Sequence, residues 1–449
     1  SEMCIRDRDD VGAWIFLDPK LALEQAREAD KRWKDKSAGK LNGLPIGIKD
    51  IIDTKDMPTE NGSHLCKNRK PSKDAHLVRL LRDEGAVIMG KCVTTEFALS
   101  GPGKTKNPKD LKCTQGGSSS GSAAAVSDYM VPLAIGSQTG GSVLRPASFT
   151  GILGFKPTFG TISRSGMSPI SQRLDHPGIY ANCVEDIDLV ASVILSYDSN
   201  DLDMIQNYQY KRTVSLNKPI KFGFVRGPVW NFGDEDMKHG IEEFVKNVQL
   251  DIEELDLGKD FYDAAKAHEI IMNGSIANSL MNYYQTDKSN LHPFTVKRIE
   301  AGIPVSASDY VSAIEQAKKL EQILKQIFKS FPKSAHPMGV LSSLTSALIA
   351  FNPLNETKIS LKDKEGTTEE EDGVYMGVTY NVNDDFTIGY LRQETDFSGS
   401  SSDEEHTGIQ ASYSMGSISF SGRVSKVDNM GGSATASDED KHITMSIAF

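Results

Sequence analysis

Residues 115–126, QGGSSSGSAAAV, decide how the rest of the chain is understood. Three glycines and four serines fill positions 116–122, and an alanine-rich apolar run follows them without a break. A flexible Gly/Ser linker keeps its backbone in solvent, whereas an apolar alanine-rich run is typical of a buried helix. The stretch therefore predicts a loop and helix start inside a folded domain.

Two common glycine motifs fit this stretch only in part. Gly116 and Gly121 have the spacing of a phosphate-binding loop, but Ser122 stands where that loop requires a lysine. Residues 117–121 match the G-x-S-x-G nucleophile elbow, which needs a preceding strand and a catalytic histidine. The preceding segment, NPKDLKCTQ, is polar and contains proline, and the nearest downstream histidine, His176, has no supporting pattern. Both interpretations are weak.

The composition is that of a large globular protein. With 449 residues, of which 38% are hydrophobic and 25% charged, the chain is long enough for more than one domain. None of the five cysteines forms a C-x-x-C pair, which argues against a zinc site or a disulfide scaffold and favours a reducing compartment. The sequence shows neither an apolar run of about 18 residues nor a signal-peptide pattern. We therefore expect a cytoplasmic location for the first part of the chain.

Residues 12–330 alternate between predicted strands and helices. Asp18 and Pro19 suit the N-cap and the first position of a helix, and apolar residues at helical spacing follow them. The run LNGLPIGIKDIID predicts a strand that carries Lys49. DAHLVRLLRDEGA predicts a helix, and VIMGKCV and KPIKFGFVR predict strands. Further helices are predicted over roughly 235–248, 259–285 and 308–330. The alternation indicates an α/β domain.

The last 99 residues differ in composition and in period. They hold 18 Asp and Glu against 7 Lys and Arg, so the net charge of −11 lies entirely within them. Apolar residues alternate with small or polar ones, which predicts antiparallel strands. Five strands are predicted, around 374–380, 386–390, 409–415, 418–424 and 443–449. Short connections alternate with long, acidic, Gly/Ser-rich ones.

This tail resembles the end of an outer-membrane porin-type β-barrel, in which turns and long loops alternate and the last residue is aromatic. Taken alone, it would indicate an outer-membrane location. Five strands are too few to close such a barrel, which needs about eight. A soluble antiparallel sheet is the alternative interpretation.

The two ends of the chain suggest that different pieces have been joined. Residues 3–8, MCIRDR, resemble the translation of a sequencing-adapter sequence, so we expect an artefactual leader outside the fold. We hypothesise an assembly chimera joined within 333–350. The predicted organisation is a leader at 1–11, an α/β domain at 12–332, a junction or linker at 333–372 and an antiparallel β segment at 373–449.

Four blocks in the first domain stand in the order of one known enzyme family: GLPIGIKDIID, GGSSSGSAAAV, TGGSVLRPA and GFKPTFG. On these blocks, residues 12–330 resemble the amidase signature family, which contains fatty acid amide hydrolase, malonamidase and the A subunit of tRNA-dependent amidotransferases. The resemblance implies an α/β fold with a mixed central sheet flanked by helices. The fold is expected to be truncated, because the family's C-terminal part is not recognisable after about Ser330.

The resemblance implies a Ser–cis-Ser–Lys triad, with Ser142 as the nucleophile, Ser118 as the bridging serine and Lys49 as the base. A cis peptide bond is implied between Gly117 and Ser118, and the Ser118 oxygen is expected between Lys49 and Ser142. A serine hydroxyl is a weak nucleophile unless a base takes its proton. A lysine can serve as that base only when neutral, which burial favours. Apolar neighbours consistent with such burial are Leu44, Ile46, Ile48 and Ile51.

The turn TGGS is assigned by the same resemblance to an oxyanion hole, in which glycines allow close approach to the reacting carbon. Its backbone N–H donors would be those of Thr139, Gly140, Gly141 and Ser142. Arg145 is expected to bind a substrate carboxylate, with a structural ion pair or backbone clamp as the alternative. Ser119 is expected in the substrate site as well, where it would support the bridging serine, with helix capping as the alternative.

We therefore expect an amidohydrolase that converts a carboxylic amide to an acid and ammonia through an acyl-serine, without a metal or an organic cofactor. Its partner would be a small-molecule amide, with a homodimer as a further expectation. One alternative is an outer-membrane barrel fragment with a non-functional amidase part. Another is a tRNA-dependent amidotransferase A-like subunit. Gln138, where that subunit has Asp, and a first part of zero net charge argue against a nucleic-acid partner.

Overall fold

The computed structural model contains two compact units, Ser1–Asn352 and Pro353–Phe449. The first unit is described over residues 8–99, 101–206, 208, 210, 221–227, 230–233, 235–247, 251–258, 261 and 264–330. The second is described by the backbone of residues 357–365, 371–383, 386–397, 404–415, 418–428 and 437–447. The predicted join within 333–350 lies outside the described residues.

A six-stranded mixed sheet organises the first unit. Its strands are β1 (Trp14–Leu17), β2 (Pro45–Lys49), β3 (Val87–Cys92), β4 (Leu133–Gln138), β5 (Leu153–Phe155) and β6 (His176–Ala181). They stand in the order β1-β3-β2-β4-β6-β5. The central strand β2 runs parallel to β3 and β4, and the outer pairs are antiparallel. A separate parallel pair joins β7 (Lys221–Phe224) to β8 (Asp251–Glu254). The predicted α/β class and mixed sheet are confirmed.

Nine α-helices are described in this unit: α1 (Pro19–Lys34), α2 (His76–Asp83), α3 (Ser120–Ser127), α4 (Leu144–Thr150), α5 (Val184–Ile194), α6 (Glu235–Asn247), α7 (Ala264–Asp287), α8 (Pro293–Gly302) and α9 (Ala307–Ser330). The predicted start of α1 is confirmed, because Asp18 Oδ1 accepts hydrogen bonds from Lys20 N at 3.0 Å and Leu21 N at 3.3 Å. Helices α4, α5 and α8 were not predicted. Among the described helices, none combines the length and the apolar content needed to cross a bilayer.

Apolar side chains cover both faces of the sheet. Ile46 and Ile48 of β2 are fully buried in a cluster that includes side chains of α2 and α5. The three alanines of α3 are fully buried in a second cluster, which includes Trp14 of β1. Each fully buried Ile contributes about 2 kcal/mol of transfer free energy. The ends of the central strands are thereby held between two packed helical layers.

The Gly/Ser stretch forms the N-terminal end of α3, which lies directly on strand backbone. Gly121 has no room for a side chain, because a Cβ atom there would lie 2.1 Å from the Ala13 carbonyl oxygen and 2.4 Å from Val93 N. Ser120 Oγ donates to Val93 O at 3.3 Å, and Ser122 Oγ donates to Ile135 O at 3.0 Å. These residue types therefore serve close packing of the helix on the sheet.

Residues 8–11 belong to the folded unit, although the sequence predicts a leader up to residue 11. Arg8 Nη1 lies 2.7 Å from Asp128 Oδ1, and Val11 is fully buried in the cluster beneath α3. The described fold thus includes residues on the N-terminal side of residue 12. Residues 3–7 of the adapter-like segment lie outside the described residues.

The second unit contains one antiparallel sheet of six strands in sequential order. These are β9 (Thr357–Glu365), β10 (Glu371–Asn383), β11 (Phe386–Phe397), β12 (Glu404–Met415), β13 (Ile418–Asp428) and β14 (Ser437–Ile447). Strands β10 to β14 overlap the five strands that the period-two pattern predicts. Strand β9 lies within residues 333–372, where the sequence predicts a linker.

Candidate active site

Lys49 is the last residue of the central strand β2 and is fully buried. Its Nζ donates hydrogen bonds to Ser118 Oγ at 2.8 Å, Ser119 Oγ at 2.9 Å and Ser137 Oγ at 2.9 Å. The sheet places these groups together, because β4, which carries Ser137, pairs directly with β2, and α3 begins at Ser120. A cluster of three hydroxyl groups therefore surrounds the lysine amine.

The protonated form of Lys49 is disfavoured in this cluster. Burial lowers its pKa well below the ordinary value of 10.5 because the ammonium loses its hydration. The charge of Asp175 opposes this effect, and the charge of Arg145 adds to it. The amine is therefore suited to accept a proton, as the sequence predicts for Lys49.

Ser118 follows a cis peptide bond from Gly117, and this predicted feature of the backbone is confirmed. The Gly117 carbonyl oxygen accepts hydrogen bonds from Arg145 Nη2 at 2.7 Å and Arg145 Nε at 3.2 Å. Thr95 N donates to Ser118 O at 3.3 Å. Groups on both sides of the bond thus fix the direction of the Ser118 side chain toward Lys49.

Ser119 supports Lys49 and does not line the cavity described below. Its hydroxyl is fully buried, donates to Ser137 O at 3.0 Å and accepts from Ser137 N at 3.1 Å. With that proton committed, Ser119 Oγ can only accept from Lys49 Nζ. The hydroxyl makes no capping bond to α3, although the residue stands at the N-cap position. The structure thus places Ser119 against Lys49 and outside the residues that line the cavity.

The turn TGGS joins β4 to α4. Gln138 Oε1 spans the turn, accepting from Val143 N at 2.9 Å and Leu144 N at 3.0 Å. Tyr180 Oη donates to Ser142 O at 2.9 Å. In the hydrogen bonds of the described residues, no backbone N–H of the turn is used as a donor; these groups belong to Thr139, Gly140, Gly141 and Ser142. They are available to an oxygen atom of a bound molecule.

The turn borders a cavity of about 250 Å³. Its lining residues are Ala98, Leu99, Thr139, Gly140, Gly141, Ser142, Arg145, Ile170, Ala265, His268, Glu269, Met272 and Arg298. Ser142 faces it with 7% of its surface exposed, and its hydroxyl makes no hydrogen bond to another described residue. The structure therefore brings Lys49 and Ser118 into contact, and a direct Ser118–Ser142 hydrogen bond is not among the described contacts.

Several groups of the site have no local sequence signal. Ser137 completes the cluster around Lys49, and Asp175 Oδ1 accepts from Thr139 Oγ1 at 2.6 Å. His268 and Arg298 line the cavity from α7 and α8. Burial lowers the pKa of His268, so the neutral imidazole is favoured. These residues come from distant parts of the chain and meet only through packing.

The amidase family model matches residues 4–338 of this chain. The chain belongs to the amidase family. Among its relatives, the A subunit of glutamyl-tRNA(Gln) amidotransferase from Legionella pneumophila (strain Paris) is 36% identical over 265 residues, which cover 56% of this chain and 55% of the relative. The same protein from Staphylococcus epidermidis (strain ATCC 12228 / FDA PCI 1200) is 32% identical over 373 residues, covering 76% of each chain. The chain thus spans about half the length of the Legionella relatives it matches.

Solved structures carry the same fold as this amidase-family chain. Peptide amidase from Stenotrophomonas maltophilia is 28% identical with a TM-score of 0.60, covering 69% of this chain and 72% of that one. A protein from a vestigial complex, described with the origins of an s-triazine catabolic enzyme, has a TM-score of 0.70 at 22% identity over 84% of this chain and 88% of that one. The family match and the solved amidases support an amide hydrolase. None of these matches is to a porin, so the porin-like resemblance of residues 373–449 is unsupported.

Proposed function

We propose that this chain cleaves the C–N bond of a carboxylic amide through an acyl-serine intermediate on Ser142. The observation that carries the proposal is the contact between Lys49 Nζ and Ser118 Oγ at 2.8 Å, made by a fully buried lysine whose neutral form is favoured. A base of this kind is what a serine nucleophile needs at neutral pH. The adjoining cavity, which Ser142 lines, provides a place for the amide.

In the acylation step, the Ser142 oxygen attacks the amide carbon and its proton passes through Ser118 to the neutral amine of Lys49. The carbonyl oxygen becomes an oxyanion, which the free N–H groups of residues 139–142 can stabilise. Removal of one donor of this kind typically costs about 100- to 1,000-fold in rate. The tetrahedral intermediate then collapses: the C–N bond breaks, and the Lys49 ammonium returns a proton through Ser118 to the departing nitrogen.

In the deacylation step, water takes the place of the departed ammonia. It attacks the acyl carbon while the same Ser118–Lys49 pair accepts its proton, and the acid leaves as Ser142 regains its hydrogen. Hydroxyl groups of Ser119 and Ser137 hold the amine in place during both steps, because they accept its other N–H groups. One buried lysine thus serves as base and acid in turn.

The cavity favours an amide that carries an acidic group. Arg145 and Arg298 bring two guanidinium groups to its lining, and Glu269 is the acidic residue that lines it. Arg145 Nε and Nη2 are committed to the Gly117 carbonyl, which matches the backbone-clamp alternative for this residue. A carboxylate of the substrate would therefore be bound mainly by Arg298, with Arg145 contributing charge.

A second candidate is the amidotransferase function of the named relatives. Its support is the 32% identity to the Staphylococcus epidermidis protein over 76% of each chain. In this alternative the same acyl-serine chemistry would supply ammonia to a partner, and turnover would require further subunits and a charged tRNA. The expected homodimer and the cytoplasmic location stay predictions. The four cysteines that the structure describes are free thiols, as a reducing compartment would leave them.

Ammonia release from small amides by the full chain, compared with Ser142→Ala, tests the proposal. The chain alone should release ammonia, and Ser142→Ala should abolish the release. A serine-reactive fluorophosphonate probe should label Ser142, as located by mass spectrometry. Labelling of another serine, or none in folded protein, contradicts the assignment. Turnover only after addition of amidotransferase partner subunits and charged tRNA supports the second candidate.

A further inference from the structure

Asp175 lies just before β6 and is buried, with 4% of its surface exposed. Its Oδ1 accepts from Thr139 Oγ1 at 2.6 Å. Its Oδ2 accepts from Ile170 N at 2.8 Å and from Ser171 N at 2.9 Å. Three donors therefore converge on one carboxylate, and two of them are N–H groups that can only donate, which stabilises the anionic form against the cost of burial.

These bonds join the TGGS turn to the wall of the cavity. Thr139 is the first residue of the turn, and Ile170 is another residue that lines the cavity. The segment with Ile170 is also tied to α7, since Ser279 Oγ donates to Ile170 O at 3.0 Å and Ser171 Oγ donates to Ser275 Oγ at 3.0 Å. The carboxylate is therefore one link between the turn and the helix that carries His268, beside the hydrogen bond of His268 to the Thr139 backbone.

The same carboxylate acts on the base. Among the charged groups, Asp175 raises the pKa of Lys49 and Arg145 of α4 lowers it. Burial raises the pKa of Asp175 above its ordinary value, and its three hydrogen bonds and the charge of Arg164 oppose that rise. The other neighbours of the Lys49 amine are the uncharged groups of Ser118, Ser119 and Ser137. Among the described residues, Asp175 is thus the one carboxylate whose charge raises the pKa of Lys49, and it does so without a direct ion pair.

We propose that Asp175 is a positioning residue, which fixes the oxyanion turn through Thr139 and whose carboxylate charge acts on Lys49. The inference rests on the proposed roles of the turn and of Lys49. It assigns two separable effects to one side chain: the hydrogen bond sets the geometry of the turn, and the charge favours the protonated lysine.

Two variants separate these effects. Thr139→Val removes the hydroxyl and leaves the carboxylate charge, so kcat should fall about ten- to a hundred-fold with the acidic limb of the pH profile unmoved. Asp175→Asn keeps the shape and an acceptor but removes the charge, so the acidic limb should move to lower pH because Lys49 loses its proton more readily. The Lys49 titration is also read directly by NMR of protein labelled with [ε-¹³C]lysine, in which the Lys49 signal is the one missing from Lys49→Arg.

The NMR midpoint for Lys49 should fall in Asp175→Asn and stay unchanged in Thr139→Val. An unchanged midpoint in folded Asp175→Asn, or an equal shift in both variants, overturns the charge effect. If Asp175→Asn does not fold, Thr139→Val decides alone, and wild-type turnover by that variant overturns the inference. Failure of the proposed function has a different signature: Ser142→Ala would retain ammonia release, while the Lys49 titration would still report on Asp175.

Discussion

Lys49 Nζ lies 2.8 Å from Ser118 Oγ, and no carboxylate is in contact with this amine among the described residues. Lys91 on the neighbouring strand is equally buried, but its Nζ lies 3.6 Å from Asp50 Oδ1 and donates to Thr59 Oγ1 at 2.6 Å. Burial lowers the pKa of Lys91 to about 8, with Asp50 opposing the shift. The direct ion pair is suited to a structural cation, whereas a serine cluster without one is suited to a base that exchanges protons.

Lys49→Arg should remove activity while keeping a cation in the site. An arginine cannot lose its proton in a protein, so it cannot accept one from Ser118. We expect kcat/KM for ammonia release to fall by more than about 1,000-fold, because members of a catalytic triad act as a unit. The kcat/KM of Lys49→Met should fall as far, since methionine also cannot accept a proton. Near-normal turnover by folded Lys49→Arg would show that another group serves as base.

Arg298→Gln should weaken binding of acidic amides selectively. Arg298 lines the cavity, and its Nη1 lies 3.2 Å from Asn273 Oδ1, a neutral partner that leaves the guanidinium charge uncompensated by that contact. Loss of a charged hydrogen bond to a substrate carboxylate costs about 1.5–3 kcal/mol, so KM for succinamate should rise by roughly ten- to a hundred-fold. The neutral isostere 4-methylpentanamide is the control, and its KM should not change. Equal effects on the KM of both amides would contradict recognition of a substrate carboxylate by Arg298.

Local signals predicted those parts of the fold and site that depend on neighbours in sequence. Asp18 and Pro19 predict the start of α1, and the apolar run before Lys49 predicts β2. Helix α8 was not predicted although Pro293 stands at its first position; its N-cap is a histidine, whose Nδ1 accepts from Phe294 N at 3.2 Å. Asp175 lies 36 residues from Thr139, and that contact exists only because β6 pairs with β4. The spacing of residues along the sequence does not predict which strands pair.

Lys156→Met should stabilise the protein most at neutral pH and progressively less as the pH rises. Lys156 is fully buried, its Nζ donates to Pro157 O at 2.6 Å, and burial lowers its pKa from 10.5 to about 7. Between these values the unfolded chain holds a proton that the folded chain lacks, so wild-type stability rises with pH by up to about 1.4 kcal/mol per pH unit. The methionine variant lacks this gain.

Urea unfolding of wild type and Lys156→Met at pH 7, 8 and 9 measures the effect. The difference in unfolding free energy should move steadily in favour of the wild type as pH rises. The Pro157 carbonyl loses its donor in the variant, which changes the size of the difference but not its dependence on pH. Lys49 and Lys91 titrate in both proteins and therefore cancel in the difference. A difference that is independent of pH would mean that Lys156 does not change its proton affinity on folding.

Gly121→Ala should destabilise the domain strongly because the helix start at α3 lies on rigid backbone. The new Cβ would lie 2.1 Å from the Ala13 carbonyl oxygen and 2.4 Å from Val93 N, and neither atom can rotate away. The displaced helix would also lose the bond from Gly121 N to Val93 O, now 2.9 Å. We expect a loss of about 3 kcal/mol, at the upper end for an overpacked site.

Gly240→Ala in α6 is the matched control, since a Cβ there meets nothing within 4 Å. That variant should gain roughly 0.5–1 kcal/mol from helix propensity alone. Thermal unfolding of the two variants beside wild type measures both effects, and a Gly121→Ala protein as stable as Gly240→Ala would show that α3 does not contact strand backbone this closely.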